Sequence, residues 1–218
     1  MDKFTVYLVD DDAGVLKALS RLLRAKGYEV KPYSSPREFL KQHDPAVPGC
    51  AVLDVSMPGL DGLELQQALT AGSSHRPVVF ITGKGDVPTS VRAMKAGAID
   101  FLTKPTKDTD LLEAIRRAES REAEARQRLS ELEAIQAKLR TLTPREREVL
   151  THVVAGRLNK QIAGDLGTVE KTIKVHRSRM MEKMGLRTVA DLVRMAEKAQ
   201  IGPYWTNGQL DGRPIPPP

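Results

Sequence analysis

Four short signals carry the chemistry in the first half of this chain: Asp10-Asp11-Asp12, Asp54, Thr82 and Lys104-Pro105. Carboxylates, a hydroxyl and an amine brought together could receive a phosphoryl group. Such a site needs a carboxylate nucleophile, a hard cation and positive charge to balance the oxygens of the transferred group. Asp54, which closes the run CAVLD, is the candidate nucleophile. Asp10 and Asp11 would hold Mg²⁺, a cation that prefers oxygen ligands and keeps several waters. Lys104 supplies a point charge and Thr82 a hydroxyl, both for phosphoryl oxygens. Taken singly, each has a plainer role: Asp12 a turn or helix cap, Lys104 a solvated lysine, Thr82-Gly83 a turn.

These residues are distant in the chain, so the elements around them must bring them together. Each signal ends an apolar, β-branched run: Thr5–Val9, Ala51–Val55, Val78–Ile81 and Ile99–Leu102. The runs alternate with helix-length amphipathic stretches, the pattern of a parallel sheet covered by helices. In such an α/β fold the carboxyl ends of the strands share one rim, where ligands bind. Residues as far apart as Asp10 and Lys104 are therefore predicted to converge.

The set VDDD (9–12), LDVSMPGLDG (53–62), ITGKGD (81–86) and DFLTKP (100–105) resembles the receiver domain of bacterial two-component response regulators, over residues 1–122. The resemblance implies a doubly wound, flavodoxin-like sheet of five parallel strands. It implies that Asp11, Asp54 and the backbone carbonyl of Ser56 ligate Mg²⁺ directly, that Asp10 acts through water, and that Pro105 follows a cis peptide. It also implies a sensor histidine kinase as the phosphoryl donor. In the resembled family, phosphorylated Asp54 draws Thr82 inward and Phe101 turns into the vacated space. The helix from about Val87 to Ala96 then becomes a dimer surface. Phe101 lacks the hydroxyl of a tyrosine, so such a switch would rest on packing alone. Ser56 and Lys84 flank the site and are expected to tune water access.

Ser56 also bears on the reaction class. Haloacid-dehalogenase-like phosphatases use an Asp-x-Asp pair whose second acid is a general acid, and a serine cannot do that work near neutral pH. The receiver reads as a switch that catalyses only its own phosphorylation and dephosphorylation, rather than as a turnover enzyme.

Composition agrees with a soluble regulator. No apolar stretch approaches the roughly 20 residues of a membrane span, and Met1-Asp2-Lys3 leads straight into a strand, so neither membrane nor signal peptide is expected. The single Cys50 begins an apolar strand and is expected to be a buried thiol in a reducing cytoplasm. His43, His75, His152 and His176 have no metal-ligand spacing. Residues 1–120 carry 16 Lys and Arg against 16 Asp and Glu, whereas residues 143–218 carry 13 against 8. The excess cation at the carboxyl end points to an acidic partner, nucleic acid first.

Residues 143–200 read as four helices. Thr143-Pro144-Arg145-Glu146 is a capped start with proline at the first helical position, and Gly156 stops that helix. Asn159 is expected to cap a short helix ended by Gly167. A third helix runs from about Glu170 to Met184, with Ile173, His176 or Val175, Met180, Met181 and Met184 inward. A fourth begins at Thr188. Two short helices joined by a tight turn, then a basic helix, is the helix-turn-helix arrangement. The segment LTPREREVL…NKQIAGDLG…EKTIKVHRSRMMEKMG resembles the LuxR-type output domain. With the receiver, the chain is similar to the NarL/FixJ class of transcriptional regulators, on the FixJ-like side. The implied partners are double-stranded promoter DNA, a second copy upon phosphorylation, and RNA polymerase as a candidate.

Lys171, Lys174, Arg177 and Ser178 fall along one face of the third helix. Lys174, Val175 and Ser178 are expected at base edges in the major groove, with Val175 available to a thymine methyl. Lys160, Thr172, Arg177 and Arg179 are expected on phosphates. Family members carry an apolar residue and then Ser or Thr before this helix. Here the order is Thr168-Val169, so the cap either moves to Thr168 or is lost, at about 1 kcal/mol.

From Asp110 to Leu142 there is no proline or glycine, so residues 123–142 are expected to extend the receiver's last helix as a linker. Leu111, Ile115, Ala118, Ala125, Leu129, Leu132 and Leu139 form a stripe broken by Glu122 and Gln136. That stripe suits either a coiled-coil dimer or a signalling shaft resting on a neighbouring domain. Residues 201–218 form a Pro-rich tail expected to be extended, with Tyr204 and Trp205 able to dock. Three functions are compatible: a phosphorylation-gated transcription regulator, a constitutive DNA binder, and an aspartyl-phosphate hydrolase. The intact acidic and basic set favours the first, and Ser56 disfavours the last.

Overall fold

The computed structural model describes residues 3–71, 76–83 and 85–202. The chain divides into two compact units, Met1–Gln127 and Arg128–Pro218. The readings for His75, for Lys84 and for residues 203–218, Tyr204 and Trp205 among them, lie outside the described residues, whereas Ile201, read as the start of the extended tail, is buried in the second unit's core.

In the first unit, β1 (Thr5–Val9), β2 (Glu29–Tyr33), β3 (Gly49–Asp54), β4 (Val78–Thr82) and β5 (Asp100–Thr103) form a parallel sheet of order β2-β1-β3-β4-β5. Helices α1 (Ala13–Ala25), α2 (Pro36–Gln42), α3 (Gly62–Ala71), α4 (Val87–Lys95) and α5 (Asp108–Arg140) connect or follow the strands. This is the doubly wound order expected. The three central strands are buried along their whole length, because helices cover both sheet faces and each side of the pleat needs apolar side chains. Val6, Leu8, Val52, Val79 and Ile81 pack with Leu16, Leu23, Leu111 and Ile115 from α1 and α5. Tyr7, Leu53 and Phe80 pack oppositely with Phe39, Leu65 and Ala93 from α2, α3 and α4. Pro32 lies in β2, an edge strand where its missing N–H costs least. Cys50 is fully buried in β3, and burial pushes its thiol up to about 12.

The second unit packs α6 (Pro144–Val154), α7 (Asn159–Asp165), α8 (Glu170–Met184) and α9 (Val189–Lys198) around Val149, Leu150, Ile162, Ile173, Met180, Met184 and Leu192. Gly156, Gly167 and Gly185 follow the ends of α6, α7 and α8 with φ of +76°, +60° and +67°. A side chain there would strain the turns that close these helices.

The stripe on α5 is consumed from both ends. Leu111, Ile115 and Ala118 belong to the first unit's core, while Leu139 lies in the second unit's core with Ile135 against it. Leu129, at 56% exposure, is left in a short middle stretch. Glu122 interrupts the stripe for a local reason. It pairs with Arg126 at 2.7 Å, and Arg126 Nη1 donates to the Ala46 carbonyl at 2.9 Å, fastening α5 to the loop before β3.

Candidate phosphoacceptor site and nucleic-acid interface

Strand register explains why the distant signals meet. Val9 of β1 lies opposite Leu53 of β3, so Asp10 and Asp54 emerge side by side. Asp54 pairs with Ile81 of β4, placing Thr82 just beyond, and Thr82 pairs with Thr103, just before Lys104. Asp10 and Asp54 are 5% and 6% exposed and Thr82 is fully buried. Lys104 Nζ lies 2.6 Å from Asp10 Oδ2 and 2.9 Å from Asp54 Oδ1. Its backbone N–H donates to the Thr82 carbonyl at 2.7 Å, and the Lys104–Pro105 peptide is cis. Partial burial disfavours the Lys104 ammonium, but hydrogen bonds and attraction from both carboxylates outweigh it and hold its pKa above the ordinary lysine value.

The remaining lone pairs are also met. Ser56 N–H donates to Asp54 Oδ2 at 2.8 Å, and Asp12 N–H to Asp10 Oδ1 at 2.9 Å. Asp12 itself caps α1, accepting from the N–H groups of Gly14 and Val15. The carboxylate trio expected for metal is in this geometry a pair. Lys104 gathers Asp10 and Asp54, while Asp11 stays exposed. Among the described residues no three acidic, His or Cys side chains form a metal cluster. The donors nevertheless fit a hard cation. They are all oxygens, two of them already share one positive charge, and Asp11 and Ser56 stand on an open rim that admits water.

Phe101 is half-buried, its ring 6.0 Å from that of Phe80. A Cβ on Gly85 would stand 3.0 Å from Phe101 Cε1 and 3.2 Å from Thr82 Cγ2. Thr82, Gly85 and Phe101 therefore pack as one group, in which a shift of one displaces the others. Nearby, α4 exposes Val87 (75%), Val91 (43%) and Met94 (45%) at intervals of four and three residues, a single apolar stripe.

In the second unit, α8 presents Lys171, Lys174, Ser178 and Arg179 to solvent, with Val175 42% exposed, and Lys160 is exposed on α7. His176 rather than Val175 turns inward. Thr172 is half-buried. Two of the α8 cations are bonded to residues outside their own helix. Arg177 Nη1 donates to Asn159 Oδ1 at 2.9 Å. Lys183 Nζ donates to Glu146 Oε2 at 2.7 Å and to the Thr141 carbonyl at 3.2 Å. Asn159 is thus the first residue of α7 rather than its cap. Leu158 holds that position without a side-chain bond, and its N–H donates to Gln161 Oε1 instead. At α8 the cap is lost: Val169 occupies the position and makes no side-chain bond.

Glu146 is 3% exposed and forms a capping box with Thr143. Burial alone would raise its pKa, but bonds from Lys183 and Thr143 outweigh burial and hold it below the ordinary value of 4.5. A carboxyl depressed on folding stabilises the fold above its unfolded pKa and stops doing so as pH falls through the folded one. Glu146→Gln is therefore expected to cost about 1.5–3 kcal/mol at pH 7, measured by urea unfolding of the second unit. The gap to wild type should narrow below pH 4.5. An undiminished gap in acid would refute the ionic role.

Residues 6–116 match the family described as the response regulator receiver domain, and residues 140–196 that of bacterial regulatory proteins of the luxR family. The chain belongs to the NarL/FixJ class of two-component response regulators. Nodulation protein W of Bradyrhizobium diazoefficiens is 44% identical over 199 residues, 91% of this chain and 88% of that protein. Transcriptional regulatory protein FixJ of Rhizobium meliloti is 42% identical over 203 residues, 93% and 100%. The solved response regulator StyR superimposes with a TM-score of 0.79 at 47% identity, covering 90% of this chain and 99% of its own. This response regulator thus joins a receiver to a LuxR-type DNA-binding domain and acts in transcription with a sensor kinase. Among the described residues no helix is long and apolar enough to cross a membrane.

Several residues of the regulator escape sequence reading. The Glu146–Lys183 and Asn159–Arg177 contacts join positions on different helices, and no local pattern announces them. Gly62 and Gly85 could have been noticed, because glycines flanking reactive residues often mark close approach.

Proposed function

We propose that this regulator is switched by phosphoryl transfer from the kinase to Asp54, and that the phosphorylated form dimerises and binds paired DNA half-sites. The observation that best supports this reading is the single ammonium of Lys104 shared by Asp10 and Asp54 at the ends of adjacent strands. An Asp54 oxygen attacks phosphorus as the phosphorus–nitrogen bond of the donor phosphohistidine breaks. Ser56 N–H and Lys104 orient the nucleophile, Lys104 and Thr82 receive the phosphoryl oxygens, and Asp10, Asp11, Asp54 and the Ser56 carbonyl would hold Mg²⁺. Bound Mg²⁺ supplies charge to the transferred group. Lys104 Nζ, held here by Asp10 and Asp54, would turn to the phosphoryl oxygens. Dephosphorylation would use the same residues, with no other substrate turned over.

The α4 stripe of Val87, Val91 and Met94 suits the dimer surface, since an apolar stripe gains by being covered. Thr82, Gly85 and Phe101 would carry the signal to it. Phe101→Ala should accept the phosphoryl group normally yet dimerise poorly. Intact mass and sedimentation after acetyl phosphate treatment measure the two separately, and normal phosphorylation-dependent dimerisation would overturn the route.

On DNA, Lys174, Val175 and Ser178 of α8 meet base edges, while Lys160, Lys171, Thr172, Arg177 and Arg179 lie along phosphates. Lys174→Ala should relax sequence preference. Arg179→Ala should weaken all duplexes alike and reduce the slope of log K against log salt by about one. Gel shifts on specific and random duplexes across a salt series read both effects, and the reverse pattern would exchange the assignments. RNA polymerase and a cytoplasmic setting complete the reading, which follows from transcriptional control.

A further inference from the structure

An intrahelical ion pair stands at the start of α8, where acid in the first turn also suits the helix dipole. Glu170 is the first helical residue and Lys174 lies one turn on, with Lys174 Nζ 3.0 Å from Glu170 Oε1. Both side chains are largely exposed, and an exposed pair of this kind adds little to folding. Its carboxylate, however, stands at the end of the helix that enters the groove. There it is repelled by phosphates and by every acceptor on the base edges.

We propose that Glu170 and Lys174 read DNA as a unit, Lys174 donating to guanine O6 or N7 and Glu170 accepting from the cytosine N4 amine of a neighbouring pair. The inference rests on the reading of α8 as the major-groove helix. N-terminal residues of a recognition helix contact base edges, which places both residues where readout occurs. Spacing fits as well: charged groups 3.0 Å apart nearly match the rise of about 3.4 Å between stacked base pairs. The two groups can therefore touch adjacent pairs without separating. A lysine alone accepts any base-edge acceptor, whereas a carboxylate beside it demands a donor next door. Cytosine offers only a donor in the major groove, adenine offers one, and guanine and thymine present acceptors that repel Glu170. The pair would thus turn a loose preference for guanine into selection of a guanine with a cytosine in the next pair, on either strand.

The test is selection from a randomised duplex library, with and without acetyl phosphate, using the full-length protein and its Glu170→Ala, Glu170→Gln and Lys174→Ala variants. Wild type should enrich the adjacent guanine and cytosine. Both Glu170 variants should retain guanine and lose about tenfold of the preference at the cytosine position alone. An unchanged motif in the Glu170 variants, whether affinity rises or stays level, would overturn the proposal and leave Glu170 as a charge screen. A motif unchanged by Lys174→Ala would instead overturn the assignment of α8 contacts. Absence of any selected motif in wild type would overturn the pairing together with the DNA reading.

Discussion

Asp54→Ala should gain no phosphoryl group from acetyl phosphate under conditions where wild type gains one, and wild type should gain it only with Mg²⁺. The expectation follows from position. Asp10 is equally buried and also touches Lys104, so burial and charge do not separate the two carboxylates. What separates them is the surrounding backbone. Asp10 Oδ1 is engaged by Asp12 N–H, at the turn leading into α1, whereas Asp54 Oδ2 receives Ser56 N–H at the open rim. Phosphorylation of the Asp54→Ala protein, located by peptide mass to Asp10 or elsewhere, would assign the nucleophile differently. A silent wild type would favour constitutive DNA binding or strict dependence on the kinase.

Gly62→Ala should damage the first unit and its site together. A Cβ there would collide with the Asp54 carbonyl oxygen and approach Phe80 Cε1 to 3.0 Å. The first is backbone and cannot turn aside. Alanine would gain up to about 1 kcal/mol in helix propensity, but overpacking of this kind costs about 1–3 kcal/mol or more, so the clash wins. The displaced segment also contains Ser56, because Gly62 N–H closes the loop on the Val55 carbonyl at 3.0 Å. Stability and the rate of phosphorylation should therefore fall together. Urea unfolding and timed mass measurements check both, and a variant as stable and as reactive as wild type would remove Gly62 from the site.

Much of this was legible beforehand because local chemistry and global fold agree. The β-branched runs at Thr5, Ala51 and Val78 became strands within a residue or two, and Thr143-Pro144-Arg145-Glu146 formed the capping box its spacing announced. Helix α8 ran from Glu170 to Met184, where Gly185 stops it. The site residues were legible as a constellation, since parallel strands bring their carboxyl ends together whatever the loop lengths. What escaped was pairwise. That Lys104 would satisfy two carboxylates at once, leaving Asp11 outside, depends on a side-chain reach that spacing does not encode. Asn159 looked like a cap because asparagine favours that position, but Arg177 on the next helix captured its oxygen. Periodicity on α5 marks burial without saying against what: Leu111 and Leu139 belong to different cores.

The burial of Cys50 gives the chain a built-in clock. A thiol with no solvent exposure and a pKa pushed up to about 12 reacts with an alkylating reagent only when the core around β3 opens. It is the single cysteine in the sequence, so every alkylated molecule reports an opening of the first unit and none of the second. Labelling kinetics on the unaltered protein would then time how often the core behind the strand carrying Asp54 opens, with and without a phosphoryl group, and no dye or substitution would be needed.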